Sequence, residues 1–272
     1  MNIFTVIVVQ PIINLLGAIY QILISANIPY ALGFAIIFLT IAIRLALAPL
    51  MAKQLMAQKK MQDMAPHLAK LKEKHKGDMK SQQEATMALY REHGINPAAG
   101  CLPALIQLPV FFGLYTALIR AVDPDKLSEV NRLFYSESLH LDKFWDTNFF
   151  GLPLGKTPGD LIGSLGVGIL LVCIVTGALQ FIQSKMMIAP KSEIKDLKKA
   201  ELSKVEDKKL DFAATFQKQT LYFLPIMIGA FSYGFPIGLS LYWNTFSLFG
   251  IIQQYKLAGL GGLSDYIKTK KQ

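Results

Sequence analysis

Residues 31–52, ALGFAIIFLTIAIRLALAPLMA, run for 22 positions with one charge among them, Arg44. A bilayer core about 30 Å thick needs about 20 apolar helical residues to cross it, so this stretch is long enough to span a membrane. Three more runs, 102–119, 161–184 and 219–255, have the same character. At about 1.5 Å per residue the last would reach roughly 55 Å, and the turn signal Gly234-Phe235-Pro236 divides it into 219–234 and 237–255. The reading is an all-α integral membrane protein with five transmembrane helices: TM1 31–52, TM2 102–119, TM3 161–184, TM4 219–234 and TM5 237–255.

Composition agrees. Of 272 residues, 52% are apolar and 17% charged, where a soluble domain averages about 25% charged. The balance excludes an intrinsically disordered chain, and two cysteines exclude a disulfide scaffold. The net charge of +9 is distributed by topology: residues 53–101 and 185–218 hold nine Lys or Arg each and the tail 256–272 holds four. Residues 1–30 hold none, and 120–160 hold five against seven acids. By the positive-inside rule the first three segments are cytoplasmic, the N-terminus and the 120–160 loop lie outside, and the C-terminus lies inside. The charge therefore gives little support to nucleic-acid binding.

The segment 1–30 is open to two readings. Residues 3–25 are apolar enough for a sixth span, but Gln10, Asn14, Gly17 and Gln21 form one helical stripe, as in an amphipathic helix lying in the outer interface, and Pro11 interrupts a continuous span. The interfacial helix is the expectation. Cys101 and Cys173 sit at or inside apolar runs and read as packing residues; the four histidines lack ligand spacing, so no metal site is implied.

Residues 53–101 read as a cytoplasmic helical hairpin. Met56, Met61, Met64, Leu68 and Leu71 form a stripe, Gly77-Asp78 marks the turn, and Met79 to His93 returns, closed by Gly94. The stripe either zips the two helices together or, with Met87, offers flexible side chains to varied apolar clients. Pro66 suggests a kink. The loop 185–218 alternates acids and bases and reads as a short solvated helix.

Arg44 is the only charged side chain inside any span, and an arginine near a helix centre costs about 2.5–3.5 kcal/mol on insertion scales. No Asp or Glu occurs in the spans to pair with it. It either snorkels to the cytoplasmic headgroups, binds backbone carbonyls in the bundle, or lines a wet cavity whose anion comes from outside. Polar residues at helical spacing favour the cavity: Thr40 in TM1, Gln107 in TM2, Thr176, Gln180 and Gln183 in TM3, and Ser240, Asn244 and Ser247 beside Trp243 in TM5.

The combination Ile41-Ala42-Ile43-Arg44-Leu45 with Ala48-Pro49-Leu50, Asn96-Pro97, Gly100-Cys101-Leu102-Pro103, Gln107-Leu108-Pro109-Val110-Phe111, Phe181-Ile182-Gln183, Phe235-Pro236-Ile237-Gly238-Leu239, Leu241-Tyr242-Trp243 and Gln253-Gln254 resembles the YidC/Oxa/Alb family of membrane protein insertases. The resemblance implies a membrane insertase and chaperone, not an enzyme, with five spans around a hydrophilic groove open to cytoplasm and lipid. It implies that Arg44 attracts acidic or polar N-terminal segments of nascent membrane protein clients, that the positions of Gln183 and Trp243 neighbour the groove, and that the hairpin engages clients early. It also implies no cofactor, the bacterial plasma membrane as location, and the ribosome and Sec translocon as candidate partners beside membrane lipids. Without a large external domain the chain looks like a minimal member. Ser247 stands where the family commonly has Asn, and the tail's four basic residues make a weak ribosome anchor. The alternative, a small transporter or channel subunit, predicts sequence repeats and intramembrane carboxylates; an intramembrane enzyme needs a base beside a nucleophile. The spans carry neither carboxylate nor base.

Overall fold

A computed structural model of the protein describes residues 2–75, 77–95, 102–188 and 212–268. Apart from loops and one two-stranded hairpin they are helical. A π-helical turn, Thr5–Val9, leads into α1 (Gln10–Ser25). Then come α2 (Ala31–Asp63), α3 (Ala65–Lys74), α4 (Met79–Glu92), α5 (Leu102–Ala121) and the short α6 (Leu127–Asn131). Strands β1 (Asn148–Phe149) and β2 (Leu152–Pro153) pair antiparallel. Helices α7 (Pro158–Leu165) and α8 (Leu170–Met186) are joined by a 3-10 turn, and α9 (Phe212–Phe231), α10 (Ile237–Ala258) and α11 (Ser264–Lys268) follow. Among the described residues, three helical stretches are long and apolar enough to cross a membrane: Thr5–Ser25, Ala31–Met61 and Pro158–Met186.

The chain divides into two compact units. The first gathers residues 1–47, 104–180 and 224–249. Leu32, Ala35, Ile36, Leu39 and Thr40 are all buried on α2, spaced by three, four, seven and eight as one helical face requires. They meet Val9, Ile13 and Leu16 of the N-terminal helix, Leu114 and Leu118 of α5, and Leu239 and Tyr242 of α10 in one apolar core. Helices α8 and α9 approach closely where they lack side chains: a Cβ on Gly229 would lie 3.3 Å from the Cys173 carbonyl, and one on Gly177 the same distance from that of Pro225. Small residues permit such contacts, which in lipid rely on van der Waals packing.

The loop after α5 locks the ends of this unit. Asn14 donates from Nδ2 to the Leu133 carbonyl at 2.8 Å and accepts the Tyr135 N–H at 2.7 Å. Beyond the β hairpin, the carbonyls of Lys156 and Leu154 accept the N–H groups of Ile237 and Gly238, each at 2.9 Å. These are orphan donors of the first turn of α10, which a helix must satisfy from outside itself.

Several expectations change. The stripe Gln10, Asn14, Gly17 and Gln21 does not form an outward polar face: Asn14 and Gly17 are buried, while Ile7, Leu15 and Ile22 are exposed. The stripe serves the loop, because a buried amide must be bonded. Pro11 does not break the helix, since the π turn before it absorbs the lost i−4 bond. The third apolar run is interrupted by the 3-10 turn Gly166–Ile169, where Gly166 takes a φ of 68°. Helix α9 is already helical at Phe212, ahead of the apolar run at 219, because helical hydrogen bonding does not stop where hydrophobicity does.

The second unit comprises the described residues of 48–103, 181–223 and 250–272. Here α2 ends at Asp63 and α3 starts at Ala65, with Pro66 in its first turn, where a missing N–H is harmless; the Met64 and Leu68 N–H groups bond the Lys60 and Met64 carbonyls across the junction at 3.1 and 3.0 Å. Asp78 caps α4, accepting from the N–H of Lys80 and of Ser81 at 3.1 Å each. Met64 is buried, Met61 half-buried, and Met56 and Met87 exposed. Burial pushes the Tyr90 phenol above its ordinary pKa. The Gly262 N–H caps the Ile188 carbonyl at 2.6 Å, and the Lys185 ammonium lies 5.3 Å from the centre of the Tyr266 ring. The expected helix in the charged loop, with Cys101 and the Asn96 to Gly100 part of the motif, falls outside the described residues.

Candidate functional site

Arg44 projects from α2 into the first unit and is 4% exposed. Its Nη2 donates to the Phe246 carbonyl on α10 at 2.6 Å, and its Cζ lies 3.3 Å from the centre of the Phe246 ring, with Phe249 at 5.9 Å. A mid-helix carbonyl has a second lone pair to offer, and an aromatic face attracts a guanidinium strongly when both are desolvated. Of the three arrangements open in the sequence, this structure adopts the carbonyl-bound one. The Arg44 Nε is buried and bonds no other described residue.

Helix α10 is the meeting place for the other polar groups. Gln107 of α5 donates from Nε2 to the Tyr242 hydroxyl. Trp243 donates from Nε1 to Gln180 Oε1 of α8 at 3.1 Å, and Phe111 packs edge-on against its ring at 5.5 Å. Between these contacts, Ser240 Oγ, Asn244 Oδ1 and Ser247 Oγ are buried and bond no other described residue. A buried polar atom left unpaired costs about 1–3 kcal/mol, so these three atoms are the polar groups of α10 that the fold leaves unsatisfied among the described residues.

The structure sorts the sequence candidates. It brings Arg44, Gln107, Gln180 and Trp243 onto α10 beside Ser240, Asn244 and Ser247. Thr40 and Thr176 are buried, but their hydroxyls donate to the Ile36 and Val172 carbonyls of their own helices at 2.6 and 2.8 Å. This is the common local solution for threonine in an apolar helix. Gln183 belongs to the second unit, as do Met56, Met61, Met64 and Met87 of the hairpin. Phe246 was missed in the sequence. An aromatic in a helix is unremarkable there, and the clue was only that a buried arginine without a carboxylate needs a ring or a carbonyl. No His, Cys, Asp and Glu cluster fit for a metal occurs among the described residues.

Residues 23–259 match the model of the 60Kd inner membrane protein family. The chain is 34% identical over 231 residues to membrane protein insertase MisCA of Bacillus subtilis, covering 84% of this chain and 70% of that protein. It is 30% identical to membrane protein insertase YidC of Fusobacterium nucleatum, over 90% of this chain and 95% of the relative. Against the chloroplast inner membrane protein ALBINO3 of Arabidopsis thaliana it is 32% identical over 88% of this chain, which spans 49% of that longer protein.

Proposed function

The chain belongs to the YidC/Oxa/Alb family of membrane protein insertases, that of the 60Kd inner membrane protein, and from this premise we propose that Arg44 receives acidic or polar N-terminal segments of nascent clients. It is an insertase and not an enzyme, so its work is to lower a barrier without chemistry. The observation that carries the mechanism is the incomplete satisfaction of Arg44: the Phe246 carbonyl and the Phe246 and Phe249 rings hold a cation whose Nε bonds no described residue. A client carboxylate forms a stronger, charge-assisted bond than a peptide carbonyl does. It displaces the Phe246 carbonyl, while Ser240, Asn244 and Ser247 take the client's other polar groups. The client's apolar helix then leaves sideways into lipid, driven by about 0.8 kcal/mol per buried CH2.

In this reading the five spans run over 31–52, 102–119, 161–184, 219–234 and 237–255 around a hydrophilic groove open to the cytoplasm and to lipid. Thr40, Gln107, Thr176, Gln180 and Trp243 of the first unit border it. The N-terminal helix lies in the outer interface of a bacterial plasma membrane, the C-terminus is cytoplasmic, and the ribosome and Sec translocon act as partners. Met56, Met61, Met64 and Met87 of the hairpin make early contact with clients, the exposed Met56 and Met87 first.

The test compares Arg44→Ala with Arg44→Lys in reconstituted vesicles, using clients that differ only in N-terminal charge. Arg44→Ala is expected to lower insertion of acidic clients about tenfold, matching the roughly 1.5 kcal/mol of a charged hydrogen bond, with neutral clients little changed and Arg44→Lys near wild type. Equal insertion of acidic clients by wild type and Arg44→Ala would overturn the electrostatic mechanism.

A further inference from the structure

The turn between β1 and β2 is built on an unusual residue. The register pairs Phe149 with Leu152, leaving a two-residue turn of Phe150 and Gly151, both at positive φ, 52° and 83°. That conformation suits Asn-Gly; a bulky aromatic in it is strained. A second aromatic, Tyr30, also sits at positive φ, 58°, and its ring lies 4.5 Å from that of Phe150. Backbone strain persists where something over-determines it, and the inference runs from the outlier to a function.

Internal packing accounts for one side of the Phe150 ring only. That side meets Phe149 edge-on at 4.9 Å and Phe34 at 6.4 Å, while Phe149 itself presses on the bare backbone of Gly33 and lies edge-on to Phe34 at 5.5 Å. Phe150 is still 65% exposed, so most of its ring faces outward. The Tyr30 hydroxyl bonds no other described residue. No charged side chain occurs between Asp146 and Lys156. Tyr30 immediately precedes the membrane-length stretch that starts at Ala31, so a bilayer crossed by that stretch would begin beside the ring pair. Aromatic rings concentrate at that level because one side is apolar and the other wet.

We propose that Tyr30 and Phe150 form a lipid anchor, which inserts the tip of the β hairpin into the bilayer interface at this end of α2. The hairpin leads directly into the Leu154 and Lys156 carbonyls that cap α10. The anchor therefore fixes the height of that helix end relative to the membrane, whichever way client segments are recognised.

The experiment places a photoreactive benzoylphenylalanine at position 150 of the full chain, in vesicles of phosphatidylethanolamine and phosphatidylglycerol. Lipid adducts are expected at 150 and not at exposed Ser138. Adducts to a client or a second copy in place of lipid, or no lipid adduct at all, overturn the proposal. A second measurement uses Phe150→Asn, which suits the turn and removes the ring. With Cys101 and Cys173 replaced by serine, an Asn148→Cys probe in the same vesicles should react several-fold faster with an aqueous maleimide when Phe150→Asn is added. An unchanged rate overturns the anchor even if the variant folds normally.

Discussion

Arg44 illustrates how a single residue can be legible and still surprise. The sequence shows an intramembrane cation without a carboxylate, and elementary energetics demand compensation of about 2.5–3.5 kcal/mol. A charged hydrogen bond contributes roughly 1.5–3 kcal/mol and a desolvated cation–π contact about 2, so the Phe246 carbonyl and ring offset much of that cost, while the buried Nε bonds no described residue. A double-mutant cycle of Arg44→Leu and Phe246→Leu, read by thermal unfolding in detergent, should give a coupling of about 1–2 kcal/mol; a coupling near zero would assign the arginine's stability elsewhere. Asn14 makes a second case. Its position in a polar stripe was visible, but its partners in the loop lie 119 and 121 residues away, and no local pattern announces them. Asn14→Ala should cost about 1–3 kcal/mol by orphaning the Leu133 carbonyl and the Tyr135 N–H, visible as a lowered melting temperature.

Among the elements, the helical span of α2 over 31–52 was legible in the sequence from its length and hydropathy, but its buried face was not, because a run that is apolar all round does not say which side packs. Breaks and close approaches were no more legible. Nothing in an apolar run distinguishes a glycine that bends the chain, such as Gly166, from one that admits a neighbouring backbone, such as Gly229. The two kinds predict different mutational outcomes. Gly229→Leu should push α8 and α9 apart and lower the melting temperature, whereas Gly163→Leu, with nothing within 4 Å of its added Cβ, should be nearly silent. In the hairpin, Asp78→Ala removes the α4 cap and should cost about 1 kcal/mol locally, seen as faster amide exchange in α4 with no change in the first unit.

For the molecule as a whole, the distribution of basic residues makes a topological prediction. In sealed vesicles of one orientation, a cysteine at Ser138 should react with an impermeant maleimide from the side opposite to one at Lys80, with native cysteines replaced; labelling from the same side would refute the orientation. The sequence by itself determined that the protein is helical and membrane-embedded and that Arg44 is the exceptional charge, because hydropathy and charge act residue by residue and leave a one-dimensional record. Only the tertiary structure decided which groups satisfy that charge, that Thr40 and Thr176 bond their own helices, that α10 collects the other polar side chains, and that the β hairpin caps it. Those outcomes rest on directional hydrogen bonds and ring contacts between residues far apart in the chain, and a sequence pattern specifies the need for a partner but not where in space the partner stands.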